Sequence, residues 1–244
     1  KERLIPYNPC ENCRIPPKDK KEMTILPPEK IGRYLQEAEK YGVLPMFYLE
    51  LSSGLRRGEL LALQWTDLNV KERILTVNKQ VTRMEGELDV TEPKTKNSVR
   101  KVALSQQAVD LLVQEHEQHP DNPILFPSPR TGGYWSPDAV SRINRKLLKN
   151  ADIEEHVRFH DLRHTFATMA ISSGVDVKTL SSMLGHFSAG FTLDTYTHIT
   201  NDMQRGAAEK IGGFMESVTA ANTPEPPDPS EESRCKVIPF ERVG

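Results

Sequence analysis

No stretch of this 244-residue chain stays apolar for the ~20 positions that a membrane-crossing helix needs. The opening Lys1-Glu2-Arg3-Leu4-Ile5 lacks the apolar core of a secretory leader. It also lacks an initiator Met, so a longer protein is expected around this chain. Cysteine is scarce. Cys10, Cys13 and Cys235 are too few for a disulfide framework, and a reducing, cytoplasmic setting is the expectation. Cys10-x-x-Cys13 offers two thiolates, with Cys235 far along the chain, so no structural metal site is expected. A charge excess of one sign is missing too. The net charge is −2, which by itself argues against a nucleic-acid partner. The acids are concentrated at the end, however: six against three bases from Met215 onward. The preceding chain is close to neutral and its bases are clustered, and it is local patches that make a nucleic-acid footprint.

What is present is patterned apolar sequence. Hydrophobic residues make up 37% and charged residues 27%, and Ile, Leu and Val recur far enough along the chain to bury a core. Residues 1–23 mix Pro6, Pro9, Pro16 and Pro17 with lysines and read as a linker from an upstream domain. Pro27-Pro28 opens a helix to about Tyr41, with Ile31, Leu35 and Ala38 on one face. Helices over about 44–51 and 57–63 follow, separated by Ser52-Ser53-Gly54. Between Arg73 and Leu104 the period falls to two. Ile74, Thr76 and Asn78 alternate with Leu75, Val77 and Lys79, Glu85-Gly86-Glu87 turns the chain, and Leu88, Val90 and 99–104 supply further strands. Helices resume over about 106–119, 137–150, 160–172, 176–184 and 201–216, with Asp176 as an N-cap and Gly174 and Gly185 as stops. The fold class is α+β, mainly helical, with a small antiparallel sheet of about three strands. A domain over 24–218 precedes a flexible, acidic, proline-rich tail over 219–244, which ends in the apolar Val237-Ile238-Pro239-Phe240.

Several segments carry groups suited to chemistry. In Gly54-Leu55-Arg56-Arg57-Gly58-Glu59-Leu60, an Arg just after a Gly turn can present a rigid two-pronged donor to an oxyanion. Taken alone, Arg56 could be a solvated side chain and Glu59 a helix-face charge. In Phe159-His160-Asp161-Leu162-Arg163-His164-Thr165-Phe166, His160, Arg163 and His164 share one helix face beside Leu162, Phe166 and Met169, which are expected in the core. That grouping suits a phosphate, and taken alone it equally fits a capped helix start with surface histidines. The two histidines lack the companion Glu of a zinc-protease helix, since position 161 is Asp. Leu184-Gly185-His186 is followed ten residues later by Tyr196, and Pro93-Lys94-Thr95-Lys96 forms a basic hairpin segment.

In this order, Arg, Lys, His-x-x-Arg, His and Tyr, the chain resembles the tyrosine recombinases, or phage-integrase family. The resemblance runs from about Leu26 to Met215 and rests on Gly54-Leu55-Arg56 with Glu59-Leu60, Pro93-Lys94-Thr95-Lys96, 160–167, Leu184-Gly185-His186 and Thr195-Tyr196. The hairpin and the opening Leu4-Ile5-Pro6-Tyr7-Asn8-Pro9 look like integrases of conjugative transposons. The resemblance implies the recombinase catalytic fold and a site-specific recombinase that integrates and excises a mobile element through a 3′-phosphotyrosine link. Neither a cofactor nor a metal is implied. Tyr196 is the implied nucleophile, His160 its proton acceptor, Arg56, Arg163 and His186 the phosphate donors, and Lys94 the acid for the leaving oxygen. Lys96 is an alternative to Lys94. The implied partners are double-stranded DNA, further copies in a tetramer and a small excision accessory protein, in a bacterial cytoplasm at the nucleoid.

A type IB topoisomerase or telomere resolvase shares this chemistry, and a non-catalytic DNA-binding regulator is the alternative of another class. For DNA contact the expectation names Lys96, Arg100 and Lys101 around the hairpin, then Arg142, Arg145, Lys146 and Lys149 at helical spacing, and Arg158. An ordinary solvated face is the rival reading of the helical set.

Overall fold

The structure is a computed structural model, and it describes Cys13 and residues 24–84, 86–92, 99–185, 190 and 205–219. The chain divides into two units, 1–195 and 196–244. In the second, a helix over 205–219 carries Ile211, Phe214, Met215 and Val218 at helical spacing along one side.

Among its described residues the first unit opens with three helices. Pro28 at the first position of α1 (Pro28–Lys40) supplies a preset φ where no N–H is needed. In α1, Tyr34 and Ala38 face the core, and Ile31 and Leu35 pack against it. The second helix, α2 (Leu44–Ser53), is apolar on most sides and buries Met46, Phe47, Leu49 and Leu51. It stops at Gly54, whose φ of 61° is left-handed. A Cβ there would lie 2.2 Å from Cδ1 of Phe166. Only glycine satisfies both conditions. The third helix, α3 (Arg57–Ala62), starts directly after Arg56.

A 3-10 turn, Trp65–Asp67, leads into the strands. The three-stranded antiparallel sheet runs in the order β1 (Leu68–Asn69), β2 (Ile74–Val77) and β5 (Arg100–Ala103). Leu75 pairs with Val102, and both side chains point inward. The sequence placed Leu88 and Val90 in this sheet. The structure instead pairs β4 (Glu87–Thr91) with β3 (Gln80–Met84) as a separate hairpin turned at Gly86. On β4, Leu88 and Val90 are exposed, and no third strand joins the pair among the described residues. Gly58 lets β3 approach α3, since a Cβ there would sit 2.8 Å from the Val81 carbonyl oxygen.

Further along come α4 (Gln106–Glu117), α5 (Pro137–Asn150), α6 (Phe159–Ser172) and α7 (Val177–Leu184). Asp176 caps α7 by accepting the Thr179 N–H at 2.9 Å. Edge-to-face ring contacts run from Tyr34 to Phe47 to Phe159, with centroids 5.8 and 5.7 Å apart. The Tyr34 hydroxyl donates to Asn144 Oδ1 at 2.6 Å, and Asn144 Nδ2 donates to the Val157 carbonyl at 2.9 Å. One packed and hydrogen-bonded chain therefore ties α1, α2, α5 and α6 into a platform. Among the described residues no helix is long and apolar enough to cross a membrane.

Candidate active site

The site grows from two helix starts built alike. At α3 the Glu59 carboxylate reaches back to accept the Arg56 backbone N–H at 2.8 Å. At α6 Asp161 accepts the Arg158 N–H, also at 2.8 Å. An acid at the third helical position satisfies an orphan donor and complements the helix dipole. At α3 this device fixes where Arg56 stands, and at α6 it fixes the phase of His160, Arg163 and His164.

Arg163 is 3% exposed and spans the junction of α2 and α7. Its Nη1 donates to the Gly54 carbonyl and its Nη2 to the Leu184 carbonyl, each at 2.7 Å. Burial, together with the Arg56 charge, pushes its pKa down to about 10, so it remains cationic at neutral pH. Arg56 is more open, with its side chain 37% exposed. Its Nη1 donates to Glu59 Oε1 at 2.8 Å and its Nη2 to the Gly185 carbonyl at 2.9 Å. Two guanidinium groups thus hang from three adjoining carbonyls, at Gly54, Leu184 and Gly185. These carbonyls end α2 and α7, where helices leave acceptors unused.

Across this junction the groups of α6 grade from buried to open. Arg163 is buried, His164 half-buried and His160 exposed. Met169, expected in the core, is only partly covered. The two histidine rings meet edge to face, with centroids 5.2 Å apart. Burial and then the Arg163 charge lower the pKa of His160, while burial and then His160 push His164 down to about 4. Both imidazoles are therefore neutral at neutral pH.

Glu59 corrects the sequence reading. It is not a helix-face charge but a buried carboxylate, 2% exposed, shared between Arg56 and Arg100. Burial alone would raise its pKa, but hydrogen bonds and charge from Arg100, and then Arg56, hold it below the ordinary range. Arg100 is corrected with it. Its side chain is 6% exposed and bonded to Glu59 and the Met183 carbonyl, so it stands inside the protein and not on the surface around the hairpin where a DNA contact was expected. Strand parity carries the signal for this, since Arg100 shares a face with Val102 and Leu104. Glu50 was missed as well. It lies fully buried in α2, its oxygens have no hydrogen-bond partner among the described residues, and burial raises its pKa well above the usual range. A lone acid between Leu49 and Leu51 in an apolar helix was its signal.

The other expected contacts are placed unevenly. Arg142, Arg145, Lys146 and Lys149 are exposed along α5, while Val140, Ile143 and Leu147 face inward. Lys146 Nζ sits over the Tyr41 ring, 4.6 Å from its centroid. Lys101 is exposed on β5. The Arg158 side chain is 69% exposed but forms a two-pronged pair with Asp161, at 2.9 and 2.8 Å. A cleft of about 560 Å³ beside the site is lined by Arg57, Arg145, His156, Arg158 and His160, among others. Lys94, Lys96, His186 and Tyr196 lie outside the described residues. So does Cys10, while Cys13 is exposed. Among the described residues no group of three metal-ligating side chains occurs.

Residues 26–203 match the model of the phage integrase family. The chain is 31% identical over 227 residues to the ICEBs1 integrase of Bacillus subtilis, covering 88% of this chain and 61% of the relative. It is 29% identical to a XerC-like tyrosine recombinase of Caldanaerobacter subterraneus, covering 88% of this chain and 62% of that one. It therefore spans about three fifths of the length of these relatives. In fold it is similar to the Tn1549 transposon integrase, solved in complex with transposon right end DNA, with a TM-score of 0.69 at 23% identity and coverage of 80% and 68%. It is also similar to the XerA recombinase, with a TM-score of 0.62 at 26% identity and coverage of 79% and 67%.

Proposed function

The chain belongs to the phage integrase family, and from that premise we propose that it is the catalytic part of a site-specific DNA recombinase acting on the ends of a mobile element. One observation carries this reading: Arg56 and Arg163 converge on the ends of α2 and α7, anchored by carbonyls. Two neighbouring cations held in place by the protein's own carbonyls suit the non-bridging oxygens of a phosphodiester.

The proposed step is an in-line transfer. The Tyr196 phenol oxygen bonds to phosphorus, and the bond from phosphorus to the 5′ oxygen breaks. The phenol proton passes to His160, which is unprotonated at neutral pH because burial and the Arg163 charge lower its pKa. Lys94 donates a proton to the leaving 5′ oxygen, with Lys96 the alternative donor. Arg56, Arg163 and His186 stabilise the charge that spreads over the phosphoryl oxygens. The product is a 3′-phosphotyrosine and a free 5′-hydroxyl, and a 5′-hydroxyl from another strand reverses the step. The bond energy is kept in the protein link, so neither ATP nor a cofactor enters.

Duplex DNA is the proposed partner. It would run along the cleft by His160 and the basic face of α5, with phosphate contacts from Arg142, Arg145, Lys149 and, more weakly, Lys146 and Arg158. Lys96 and Lys101 would add contacts beside the hairpin. The relatives named integrase and the Tn1549 complex with transposon DNA support this partner. A tetramer on two duplexes and a small excision accessory protein belong to the same proposal, as does action in the bacterial cytoplasm. So does the division into a linker over 1–23, a catalytic domain over 24–218 and a tail over 219–244.

The test uses a suicide duplex built from the DNA flanking the gene on its host element. The chain is expected to form a covalent adduct that survives denaturation. Tyr196→Phe should bind the same duplex and form none. An adduct of normal yield from Tyr196→Phe removes the assignment.

A further inference from the structure

Arg100 opens β5, and its side chain turns inward beneath α3 and the end of α7. Its Nη1 and Nη2 donate in parallel to Glu59 Oε1 and Oε2, at 3.0 and 2.8 Å, and its Nε donates to the Met183 carbonyl at 2.6 Å. Glu59 Oε1 also accepts from Arg56 Nη1, and Arg56 Nη2 reaches the Gly185 carbonyl. The bonds close a ring: Arg100, Glu59, Arg56, Gly185 and back along the chain to Met183. Gly185 completes the fit. Its φ is 64°, and a Cβ there would lie 3.1 Å from both Cδ and Nη1 of Arg100.

The charges in this ring do not balance. One buried carboxylate serves two guanidinium groups, and Coulomb terms are large where water is excluded. Were Arg100 neutral, Glu59 would be left wholly to Arg56 and would cancel its charge. With Arg100 present the trio keeps a net positive charge on the open side, where Arg56 faces solvent.

The geometry points to Arg100 as a positioning residue for the phosphate site: it shares Glu59 so that the carboxylate does not offset the whole Arg56 charge, and it fixes the Met183–Gly185 backbone from which Arg56 and Arg163 hang. It acts through Glu59 and does not touch substrate. This inference rests on the reading above, in which Arg56 receives the scissile phosphate.

The test compares a normal duplex with one whose scissile phosphate carries a methyl in place of one non-bridging oxygen. That group is uncharged and has less need of the arginines. Arg100→Met should slow cleavage of the phosphodiester by about a hundred-fold, the usual scale for losing one preorganised donor, and slow the methylphosphonate by less than about ten-fold. Adding Glu59→Gln to Arg100→Met should restore about ten-fold on the phosphodiester, because the amide no longer cancels Arg56. Arg100→Lys, which keeps the charge without the two-pronged fork and packs more mildly, should fall between wild type and Arg100→Met.

Equal losses on the two substrates, or a double variant no faster than Arg100→Met, would mean that Arg100 is merely structural and would overturn the proposal. A second readout is independent of cleavage. Inorganic phosphate titrated against the Arg56 Nε–H resonance should bind about ten-fold more weakly to Arg100→Met, and unchanged binding overturns the proposal equally. Failure of the wild-type chain to form any adduct strikes the recombinase reading instead, and the phosphate titration still decides the role of Arg100.

Discussion

At His164 a single ring reports how the site is built. Burial, and then the neighbouring His160, push its pKa from 6.5 to about 4. Asp161 opposes this shift, and Arg163 and Arg158 reinforce it. Between those two pH values the unfolded chain binds a proton that the folded chain refuses, so acidification favours unfolding. The stability associated with a neutral His164 is complete above about pH 6.5 and is lost as the pH falls toward 4. Glu50 works the other way, since its raised pKa makes the folded state the better proton binder above the ordinary carboxylate range. The comparison must therefore isolate one residue. His164→Leu should remove a destabilisation of no more than about 3 kcal/mol on going from pH 7 to pH 4.5. Urea unfolding of both proteins at the two pH values measures it, and parallel losses in the two would refute the assignment.

Among the elements, α5 shows most directly how one helix serves two media. Val140, Ile143, Leu147 and Leu148 are buried, and Asn144 is locked between Tyr34 and the Val157 carbonyl. The opposite face presents Arg142, Arg145 and Lys149 to solvent without changing the packing. Lys146 differs, because its ammonium rests on the Tyr41 ring. If this face follows a phosphate backbone, each contact releases counterions on binding. Arg142→Ala with Arg145→Ala should then lower the slope of log affinity against log salt by about 2, at nearly unchanged thermal stability. A slope equal to that of the wild type would make α5 an ordinary solvated face.

At the scale of the whole molecule, the proposal requires two duplexes to exchange strands, which separates it from a topoisomerase that reseals a single duplex. Incubating the chain, or a longer protein that contains it, with two marked element-end duplexes should yield recombinant strands without ATP and at the same rate in EDTA. Cleavage with relaxation but no exchanged product would favour the topoisomerase reading. Rate loss in EDTA would show that the charge placed here on Arg56, Arg163 and His186 is supplied in part by a metal.

The sequence by itself determined the elements whose signals are local. The bounds of α5 follow from Pro137 and an apolar stripe of period 3.6, α7 begins at the cap residue Asp176, and α2 and α7 end at glycines that take left-handed conformations. The order of Arg56, His160 and Arg163 was legible for the same reason, since each lies in a short recognisable segment. The pairing of strands was not. Alternation says that Leu88 and Val90 lie on a strand, but which neighbour receives the hydrogen bonds depends on contacts between distant segments. Nor did composition say that Glu59 and Arg100 are interior. Their charges argue for water, and only the joint burial of α3, β5 and the end of α7, with each group satisfying the other, makes an ion pair there tolerable. Tertiary structure alone therefore decided that Arg100 meets Glu59 behind the site. The reason is that a charge is placed by the partners that packing brings to it, and those partners lie 41 residues away for Arg100 and 109 for Arg163.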